Sequence, residues 1–353
     1  MNDLIFTNSV GKSLATIVAG MNEPRLFVLT DANTSQFVLP RLVEQYPALN
    51  TAVNITVHAG DFNKTLDAAR DVWKVLVDHE ASRHDVLINV GGGVVTDLGG
   101  FVASTYRRGM HFINIPTTLL GAVDASVGGK NGVNFGGFKN QIGTFAVADA
   151  TIISSCFFDT LTDRDMLSGY AEMLKHALLD SPKMLARLLA FNVLEAQSAD
   201  LLALIEENVK VKRSIVDADF REAGPRKALN LGHTAAHAFE SLAMARRSPI
   251  PHGYAVAAGC VVALVLSHLK FKFPSDTLHA FAAYVREHYE PVEFTCDDYP
   301  ALLNYMAHDK KNDHHGIFNY TLLKAPGKPM VNVALTAEDI TGALDIYRDL
   351  MGI

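Results

Sequence analysis

Two histidines and one glutamate, from three separate stretches of the sequence, have the residue types of a divalent-metal site. Glu172 and Lys175 are three residues apart in SGYAEMLKHALL, so they share one face of a predicted helix. His233 lies in LNLGHTAAHAFE, and His252 lies in PIPHGYAV, just ahead of a long apolar stretch. One carboxylate and two imidazoles bind zinc or a similar divalent ion and leave coordination positions open for a substrate. We therefore predict one divalent metal on Glu172, His233 and His252.

The pair His233 and His237 has the spacing of a metalloprotease motif but lacks the general base of that motif. The protease sequence is HExxH, and this chain has Thr234 where the glutamate would be. For any single one of the 14 histidines, a helix cap or a hydrogen-bonded core ring is the simpler interpretation. His233 and His252 both precede apolar helical sequence, where a polar ring needs a buried partner, and this favours ligation.

Three consecutive glycines follow an apolar run that is predicted to be a buried strand. Residues 85–90 read DVLINV, and Gly91, Gly92 and Gly93 lead from them into a helical stretch. Glycines let the backbone approach a ligand closely, and the N-terminus of the following helix suits a pyrophosphate. The sequence GGGVVTD differs from GxGxxG, so the dinucleotide fingerprint is absent as written. A tight strand-to-helix turn is the alternative interpretation, and this segment alone leaves both open.

Polar segments also follow three other predicted strands. Residues 30–33, residues 60–64 and residues 116–118 come directly after the first, second and fourth strands. Ligands of open parallel sheets bind beyond the carboxyl ends of the strands, where an acidic side chain can accept from ribose hydroxyls. Each segment alone could be ordinary loop chemistry. Their shared position favours a nucleotide ligand.

Basic residues recur in these motifs although the chain as a whole is acidic, with 31 Lys plus Arg against 38 Asp plus Glu. The bases are Arg108, Lys130, Lys139, Lys175, Lys212, Arg226 and the pair Lys310 and Lys311. Bases beside a predicted metal helix and in glycine-rich loops indicate a small polyanion, such as a phosphorylated carboxylate. Taken singly, each is more often a solvated surface residue.

The elements that must position these residues change in kind near the middle of the chain. The predicted strands are residues 25–29, 51–57, 85–90, 111–115 and 148–154, with a helix over 65–79. The later helical segments are residues 168–191, 199–217, 233–244, 253–270 and 276–288, with a short strand pair near 318–323. We predict a Rossmann-like parallel α/β domain over residues 1–158, followed by a mostly helical metal- and substrate-binding domain over residues 159–353.

Composition excludes several classes of protein. The net charge of −7 argues against a nucleic-acid binder, which normally has a basic excess. Three dispersed cysteines without a CxxC argue against a disulfide framework and favour a reducing compartment. The first residues lack a secretory signal. The most apolar stretch, residues 255–266, is shorter than the roughly 20 residues that span a bilayer, so we predict a buried core helix there. We expect a cytoplasmic protein without a membrane partner.

Seven ordered motifs together resemble the 3-dehydroquinate synthase family. They are GGGVVTDLGGFVASTYRRG, IPTTLLGAVDASVGGKNGVN, FKNQIG, SGYAEMLKHALL, LNLGHTAAHAFE, HGYAVAAG and HDKKN. The resemblance covers about residues 31–323. It implies an NAD-binding α/β domain, a helical metal domain and a homodimer, with zinc or cobalt as the metal. The chain departs from the family's usual residues at Thr96, Asn131 and Tyr254, and at Asp61, where the family usually has Glu.

The resemblance also implies a set of site residues in this chain. The metal ligands fall on Glu172, His233 and His252. The NAD contacts fall on Asp31, Asn33, Asp61, Lys64, Gly92, Gly93, Val94, Asp97, Thr117, Thr118, Phe157, Thr160 and Leu161. The catalytic and substrate contacts fall on Arg108, Asp124, Lys130, Lys139, Asn140, Lys175, Lys212, Arg226, Asn230, His237 and one lysine of the Lys310 and Lys311 pair, for which we take Lys310.

The implied reaction converts a phosphorylated sugar acid, 3-deoxy-D-arabino-heptulosonate 7-phosphate, into 3-dehydroquinate and phosphate in the shikimate pathway. It proceeds by transient NAD-dependent oxidation, phosphate elimination, reduction and intramolecular aldol closure. The first alternative is another sugar phosphate cyclase, and the presence of Lys212, Arg226 and Asn230 in their expected frame argues against it. A second alternative is a metal-dependent polyol dehydrogenase, which would release NADH and need no phosphate cluster. A nucleotide-sensing binding module would need neither the metal residues nor the bases.

Overall fold

The computed structural model describes residues 3–136, 138–307 and 317–353, and its first half alternates strands with helices. These elements are β1 (Asp3–Phe6), α1 (Val10–Ala19), β2 (Leu26–Asp31), α2 (Ala32–Phe37), α3 (Leu39–Gln45), β3 (Val53–Val57), α4 (Leu66–Asp78), β4 (Val86–Gly91), α5 (Gly93–Thr105), β5 (His111–Pro116), β6 (Lys130–Phe135), β7 (Phe138–Phe145) and β8 (Ala150–Ile153). The five strands predicted in this half are all present, with ends shifted by one or two residues.

Six of these strands form one parallel sheet in the order β1-β8-β5-β4-β2-β3. The chain passes from β2 to β3 on one side and then returns to β4 on the other side, so the strand order reverses beside β2. Asp31 ends β2, and Gly91 of β4 pairs with Pro116 of β5 at the same edge of the sheet. Ligands of such sheets bind at this kind of reversal. The predicted Rossmann-like parallel fold is confirmed.

The central strands are buried on both faces, which explains their continuous apolar sequence. In β2, Phe27 and Leu29 pack into one core cluster and Val28 packs into another. In β4, Leu87 joins the first cluster, whereas Ile88 and Val90 join the second. This alternation follows from the two-residue period of a strand, and it anchors the sheet between two layers of helices.

The second half is mostly helical, as predicted. Its elements are α6 (Asp163–Asp180), α7 (Pro182–Leu189), α8 (Ser198–Ala218), α9 (His233–Ala245), α10 (His252–Phe271), α11 (Ser275–His288), α12 (Tyr299–Ala307), β9 (Phe318–Leu323), β10 (Pro329–Leu335) and α13 (Ala337–Met351). Strands β9 and β10 form an antiparallel pair, so the strand signal near residue 318 is confirmed. The prediction of one continuous helix over residues 168–191 is wrong, because Ser181 caps a new helix that begins at Pro182.

Packing within the chain defines two compact units. The first contains Met1–Thr162 and Ala196–Val209, and the second contains Asp163–Glu195 and Lys210–Ile353. The division therefore follows Thr162, a few residues after the predicted boundary at residue 158, and helix α8 includes residues of both units.

One helix of the described residues, α10, is long and apolar enough to cross a membrane by length and composition. Of its most apolar window, 78% is buried inside the protein, and core helices of this kind pass the same test. The segment is therefore a helix of the protein interior, which agrees with its prediction as a buried core helix.

Candidate functional site

Glu172, His233 and His252 come together in the second unit at the spacing of metal ligands. Glu172 Oε1 lies 3.4 Å from His233 Nε2 and 3.4 Å from His252 Nε2. One donor atom from each of the three residues can be chosen so that all lie within 4.8 Å of one another. Bonds of about 2.0–2.1 Å in a tetrahedral zinc site would hold neighbouring ligand atoms roughly 3.3–3.4 Å apart. The donor set and its spacing therefore fit one divalent ion.

Three helices supply these three side chains. Glu172 lies in the middle of α6, whereas His233 and His252 are the first residues of α9 and α10. The start of α10 approaches α6 very closely at Gly253, whose N–H donates to Ser168 Oγ at 3.1 Å. A Cβ at this position would lie 1.9 Å from the Ser168 carbonyl oxygen, so only glycine fits there. This contact brings His252 to the helix that carries Glu172.

Both histidine rings are held through their other nitrogen. His233 Nδ1 lies 3.2 Å from the Leu231 carbonyl oxygen, and His252 Nδ1 lies 3.3 Å from Glu240 Oε1. An Nδ1–H that donates to an oxygen leaves the Nε2 lone pair for an ion. Both Nε2 atoms face Glu172, which is the orientation that a shared metal requires.

The charges around the cluster set the protonation of the ligands. Burial alone would raise the pKa of Glu172, but Lys175 and the two histidines hold that pKa well below its ordinary value. Burial and the charge of Lys175 lower the pKa of His233 to about 4, against the opposing effect of Glu172. Burial would also lower the pKa of His252, but Glu240 and Glu172 raise it to about 10. Glu172 is thus ionised and His233 neutral at neutral pH, whereas His252 gives up a proton when it binds a cation.

Two predicted substrate residues of the second unit lie beside this cluster, and two others are buried in the same unit. Lys175 Nζ lies 2.5 Å from Glu172 Oε2, and the His237 ring centroid lies 5.6 Å from that of His233. Lys212 and Arg226 are buried, at 6% and 2% exposure. Burial of such strongly basic side chains is unusual unless they bind anions or acids, so it argues against the surface-base interpretation.

A short 3₁₀ helix, Pro225–Asn230, positions Arg226 and Asn230 just ahead of His233. Asp219 accepts from the Arg226 backbone N–H at 3.2 Å, and Arg226 Nη1 donates to the Phe220 carbonyl at 2.5 Å. Asn230 Nδ2 donates to Glu222 Oε1 at 2.6 Å. The segment is thus fixed by its own hydrogen bonds, which define where the Arg226 guanidinium lies.

The glycine turn of the first unit joins β4 to α5 at the carboxyl edge of the sheet. Gly92 is the N-cap of α5, and a Cβ there would lie 3.0 Å from Thr118 Cγ2. Gly91 accepts from the Thr117 backbone N–H at 3.0 Å, which ties this turn to the loop after β5. Gly93 and Val94 begin α5, so their N–H groups belong to the unpaired first turn of a helix. This is a backbone surface suited to a phosphate.

A buried lysine links the loop after β3 to the glycine-turn helix. Lys64 is 3% exposed, and Lys64 Nζ donates to Asp97 Oδ2 at 2.8 Å and to Asn140 Oδ1 at 2.7 Å. Asp61 Oδ1 lies 3.6 Å from the same ammonium. Burial raises the pKa of Asp97, and the charge of Lys64 opposes that rise. Four residues predicted for NAD or substrate therefore form one contact network.

The remaining predicted NAD residues have diverse surroundings. Asp31 caps α2 by accepting from the Thr34 N–H at 2.8 Å, and Asn33 is exposed on that helix. Phe157 is fully buried, and its carbonyl accepts from Thr160 Oγ1 at 2.7 Å. Leu161 is partly buried and closes the same turn through its N–H. These residues follow strands β2 and β8 at the carboxyl edge of the sheet.

The other substrate predictions of the first unit lie on the β6–β7 hairpin and in two loops. Lys130 begins β6, and Lys139 Nζ on β7 lies 3.3 Å from Asp61 Oδ2. Asp124 lies in a π-helical turn, Gly121–Ala125, a geometry frequent at functional sites. Arg108 is exposed and has a positive φ of 66°. Lys310 and Lys311 lie outside the described residues.

The sequence analysis did not identify two acidic residues that contact predicted site residues. Glu240 contacts His252, and Glu222 contacts Asn230. The available signal for Glu240 was its position seven residues after His233, two turns along one helix face. Glu222 lies in a loop and gave no such signal.

Solved structures share this fold. 2-Deoxy-scyllo-inosose synthase, complexed with carbaglucose-6-phosphate, NAD+ and Co2+, superposes with a TM-score of 0.83 over 97% of this chain and 95% of its own, at 20% identity. 2-Epi-5-epi-valiolone synthase from Streptomyces hygroscopicus subsp. jinggangensis, with NAD+ and Zn2+ bound, gives a TM-score of 0.83 over 99% and 97% of the two chains, at 24% identity. The chain thus has the fold of these synthases, a Rossmann-like sheet followed by a helical region.

Sequence comparison assigns the chain to one family among the proteins that share this fold. The family described as 3-dehydroquinate synthase N-terminal matches residues 54–168, and the one described as 3-dehydroquinate synthase C-terminal matches residues 169–312. A 3-dehydroquinate synthase of Parabacteroides distasonis is 43% identical over 350 residues, covering 99% of both chains. The chain belongs to the 3-dehydroquinate synthase family, and the predicted resemblance is confirmed.

Proposed function

We propose that the chain converts 3-deoxy-D-arabino-heptulosonate 7-phosphate into 3-dehydroquinate and phosphate, with NAD and one zinc or cobalt ion as cofactors. The observation that carries this proposal is the cluster of Glu172, His233 and His252, in which both histidine Nε2 atoms lie 3.4 Å from Glu172 Oε1. The cluster occurs in a chain that belongs to the 3-dehydroquinate synthase family. When bound, NAD supplies a reversible hydride acceptor and the divalent ion supplies a Lewis acid.

The first unit would hold the dinucleotide at the carboxyl edge of its sheet. The N–H groups at the start of α5 donate to the pyrophosphate, and Gly92 and Gly93 keep that backbone accessible. Asp31 retains one carboxylate oxygen outside its cap contact to accept from a ribose hydroxyl. The charge of Lys64 opposes the rise in the Asp97 pKa that burial causes, and the contact between the two side chains fixes the loop after β3 against α5.

The second unit would bind the ion and the anionic groups of the substrate. Glu172, His233 and His252 hold the ion, while Lys175 offsets the charge of Glu172. Lys212 and Arg226 bind phosphate or carboxylate from buried positions, where little water competes for them. The His237 imidazole, beside both histidine ligands, accepts the proton of a substrate hydroxyl. Lys130, Lys139, Asn140, Arg108 and Asp124 are assigned to the substrate by the family resemblance.

Phosphate release tests the proposal directly. The purified chain is supplied with NAD+ and zinc or cobalt, and inorganic phosphate is measured with the heptulosonate 7-phosphate and, separately, with glucose 6-phosphate. The two substrates share a phosphate, but only the first carries a carboxylate. Release from the heptulosonate alone supports the proposal. Release from glucose 6-phosphate alone would instead support a different cyclase.

We also propose that the protein is a homodimer. The family resemblance supports this, as do two phenylalanines of the β6–β7 hairpin, Phe135 and Phe145, which are 56% and 47% exposed. Large exposed apolar side chains on one hairpin are typical of an interaction surface. Sedimentation equilibrium should give twice the mass of one chain, and the mass of one chain would contradict the proposal.

A further inference from the structure

Glu240 is a buried carboxylate next to the metal cluster that no predicted role explains. It lies on α9, seven residues after His233, and it is 5% exposed. Its helix neighbours Ala236, Phe239 and Ala243 belong to the apolar core. An ionised group in such surroundings is costly unless it is paired, so the position of Glu240 requires a partner that benefits from its charge.

One partner that the structure provides is the second ring nitrogen of a metal ligand. Glu240 Oε1 lies 3.3 Å from His252 Nδ1, on the side of the ring opposite to Glu172. His252 is therefore held between two carboxylates, with Nδ1 toward Glu240 and Nε2 toward Glu172. A donated Nδ1–H fixes the tautomer in which the Nε2 lone pair faces the ion, and a carboxylate acceptor makes that nitrogen more basic.

The two histidine ligands differ in this respect. His233 Nδ1 is held by the backbone carbonyl of Leu231, which no side-chain substitution removes. His252 depends on a side chain, and Glu240 contacts it from another helix. A single substitution outside the ligands can therefore remove the Nδ1 contact of His252 but not that of His233.

We infer that Glu240 is a positioning residue of the metal centre, which orients His252 and strengthens the binding of a divalent cation. This inference rests on the proposed metal site. Glu240 contacts neither the ion nor the substrate in this role. It acts through the imidazole of His252, as carboxylates behind histidine ligands do in other metal sites.

Cobalt binding to the full-length chain tests the inference without any measurement of turnover. Metal-free wild type, Glu240→Gln, Glu240→Asp and a control, Glu287→Gln on an exposed face of α11, are titrated with Co²⁺ against a competing chelator. Glu240→Gln preserves side-chain size but removes the charge, and Glu240→Asp keeps the charge one methylene short of His252. Removal of a carboxylate behind a histidine ligand typically weakens metal affinity by about 10- to 100-fold.

We expect Glu240→Gln to weaken Co²⁺ affinity by that factor, to change the visible absorption band of bound cobalt, and to leave NAD+ affinity unchanged. The control should match wild type in all three. Wild-type affinity and an unchanged cobalt spectrum in Glu240→Gln would overturn the inference. If Glu240→Gln does not fold, Glu240→Asp is judged by the same criteria. Weaker Co²⁺ affinity in that variant supports the inference, and wild-type affinity with an unchanged cobalt spectrum overturns it. Failure of the wild type itself to bind one Co²⁺ would instead overturn the proposed metal site.

Discussion

Lys175 Nζ and Glu172 Oε2 form an ion pair of 2.5 Å, one turn apart on α6. The side chains are 2% and 0% exposed, so both charges lie out of water. The lysine holds the carboxylate in its ionised form while no cation is bound. Replacing one member of a buried pair leaves the other without compensation, which costs much more than the pair itself contributes.

Lys175→Met should therefore destabilise the metal-free protein, by roughly 3–5 kcal/mol in the free energy of unfolding. Saturating zinc should recover much of that loss, because the ion supplies positive charge beside Glu172. Urea unfolding with and without zinc measures both values. Lys183→Met, on an exposed face of α7, is the matched control and should lose little. An equal loss with and without zinc would show that Lys175 contributes through packing instead.

Metal removal should abolish phosphate release and leave the fold intact. Zinc or cobalt should then restore the activity of the wild type, because Glu172, His233 and His252 bind the ion from three separate helices. Glu172→Gln should not be restored, since a neutral amide is a poor ligand, whereas the exposed Glu195→Gln should behave as wild type. Circular dichroism and elemental analysis accompany the assay. Full activity in protein verified to be metal-free would contradict the assignment.

The parallel sheet was predictable because its central strands are continuous apolar runs between helices. Strand β1 was not predicted, since its four residues gain their strand pairing only from β8, far along the chain. The β6–β7 hairpin was missed for a related reason. Its sequence contains Gly132, Gly143 and several asparagines, which are residues of low strand propensity. The two strands are stabilised by their pairing with each other rather than by local propensity.

The metal ligands were predictable from residue type and spacing, but their surroundings were not. Histidines and a glutamate beside apolar helix are rare enough to indicate a site. Glu240 has the same sequence appearance as a surface acid on a helix, and only the packing of α10 against α9 places it at His252. Asp31 shows the opposite problem, since the predicted ribose ligand also serves as a helix cap. Sequence alone does not separate these two roles.

NAD+ should act as a catalytic cofactor rather than a consumed substrate. With less NAD+ than heptulosonate phosphate, we expect the phosphate released to exceed the NAD+ supplied, with no net growth of NADH absorbance. The physical reason is that the proposed reaction returns its hydride in each cycle. Gly92→Val should weaken NAD+ binding, because a Cβ at Gly92 already approaches Thr118. Stoichiometric accumulation of NADH would support a polyol dehydrogenase.

Arg226 should determine the binding of the acidic substrate without affecting the metal. It is 2% exposed and is fixed by hydrogen bonds to Phe220 and Asp219, so its guanidinium is already positioned before a substrate arrives. A guanidinium binds carboxylate or phosphate with two parallel hydrogen bonds, which an ammonium group does not reproduce. Arg226→Lys should therefore lower kcat/KM for the heptulosonate phosphate. The loss corresponds to roughly 2–5 kcal/mol of activation free energy if an anionic group is left poorly paired.

The measurement for Arg226→Lys combines steady-state kinetics and bound metal on one preparation. Arg221→Lys, five residues earlier and exposed, is the matched control and should retain wild-type kinetics. Metal content should stay unchanged in both variants, because neither arginine is a ligand. Wild-type kinetics in Arg226→Lys would rule out the anion-binding assignment. Loss of metal together with activity would instead indicate that Arg226 supports the segment that leads into His233, since its hydrogen bonds to Phe220 and Asp219 fix that segment.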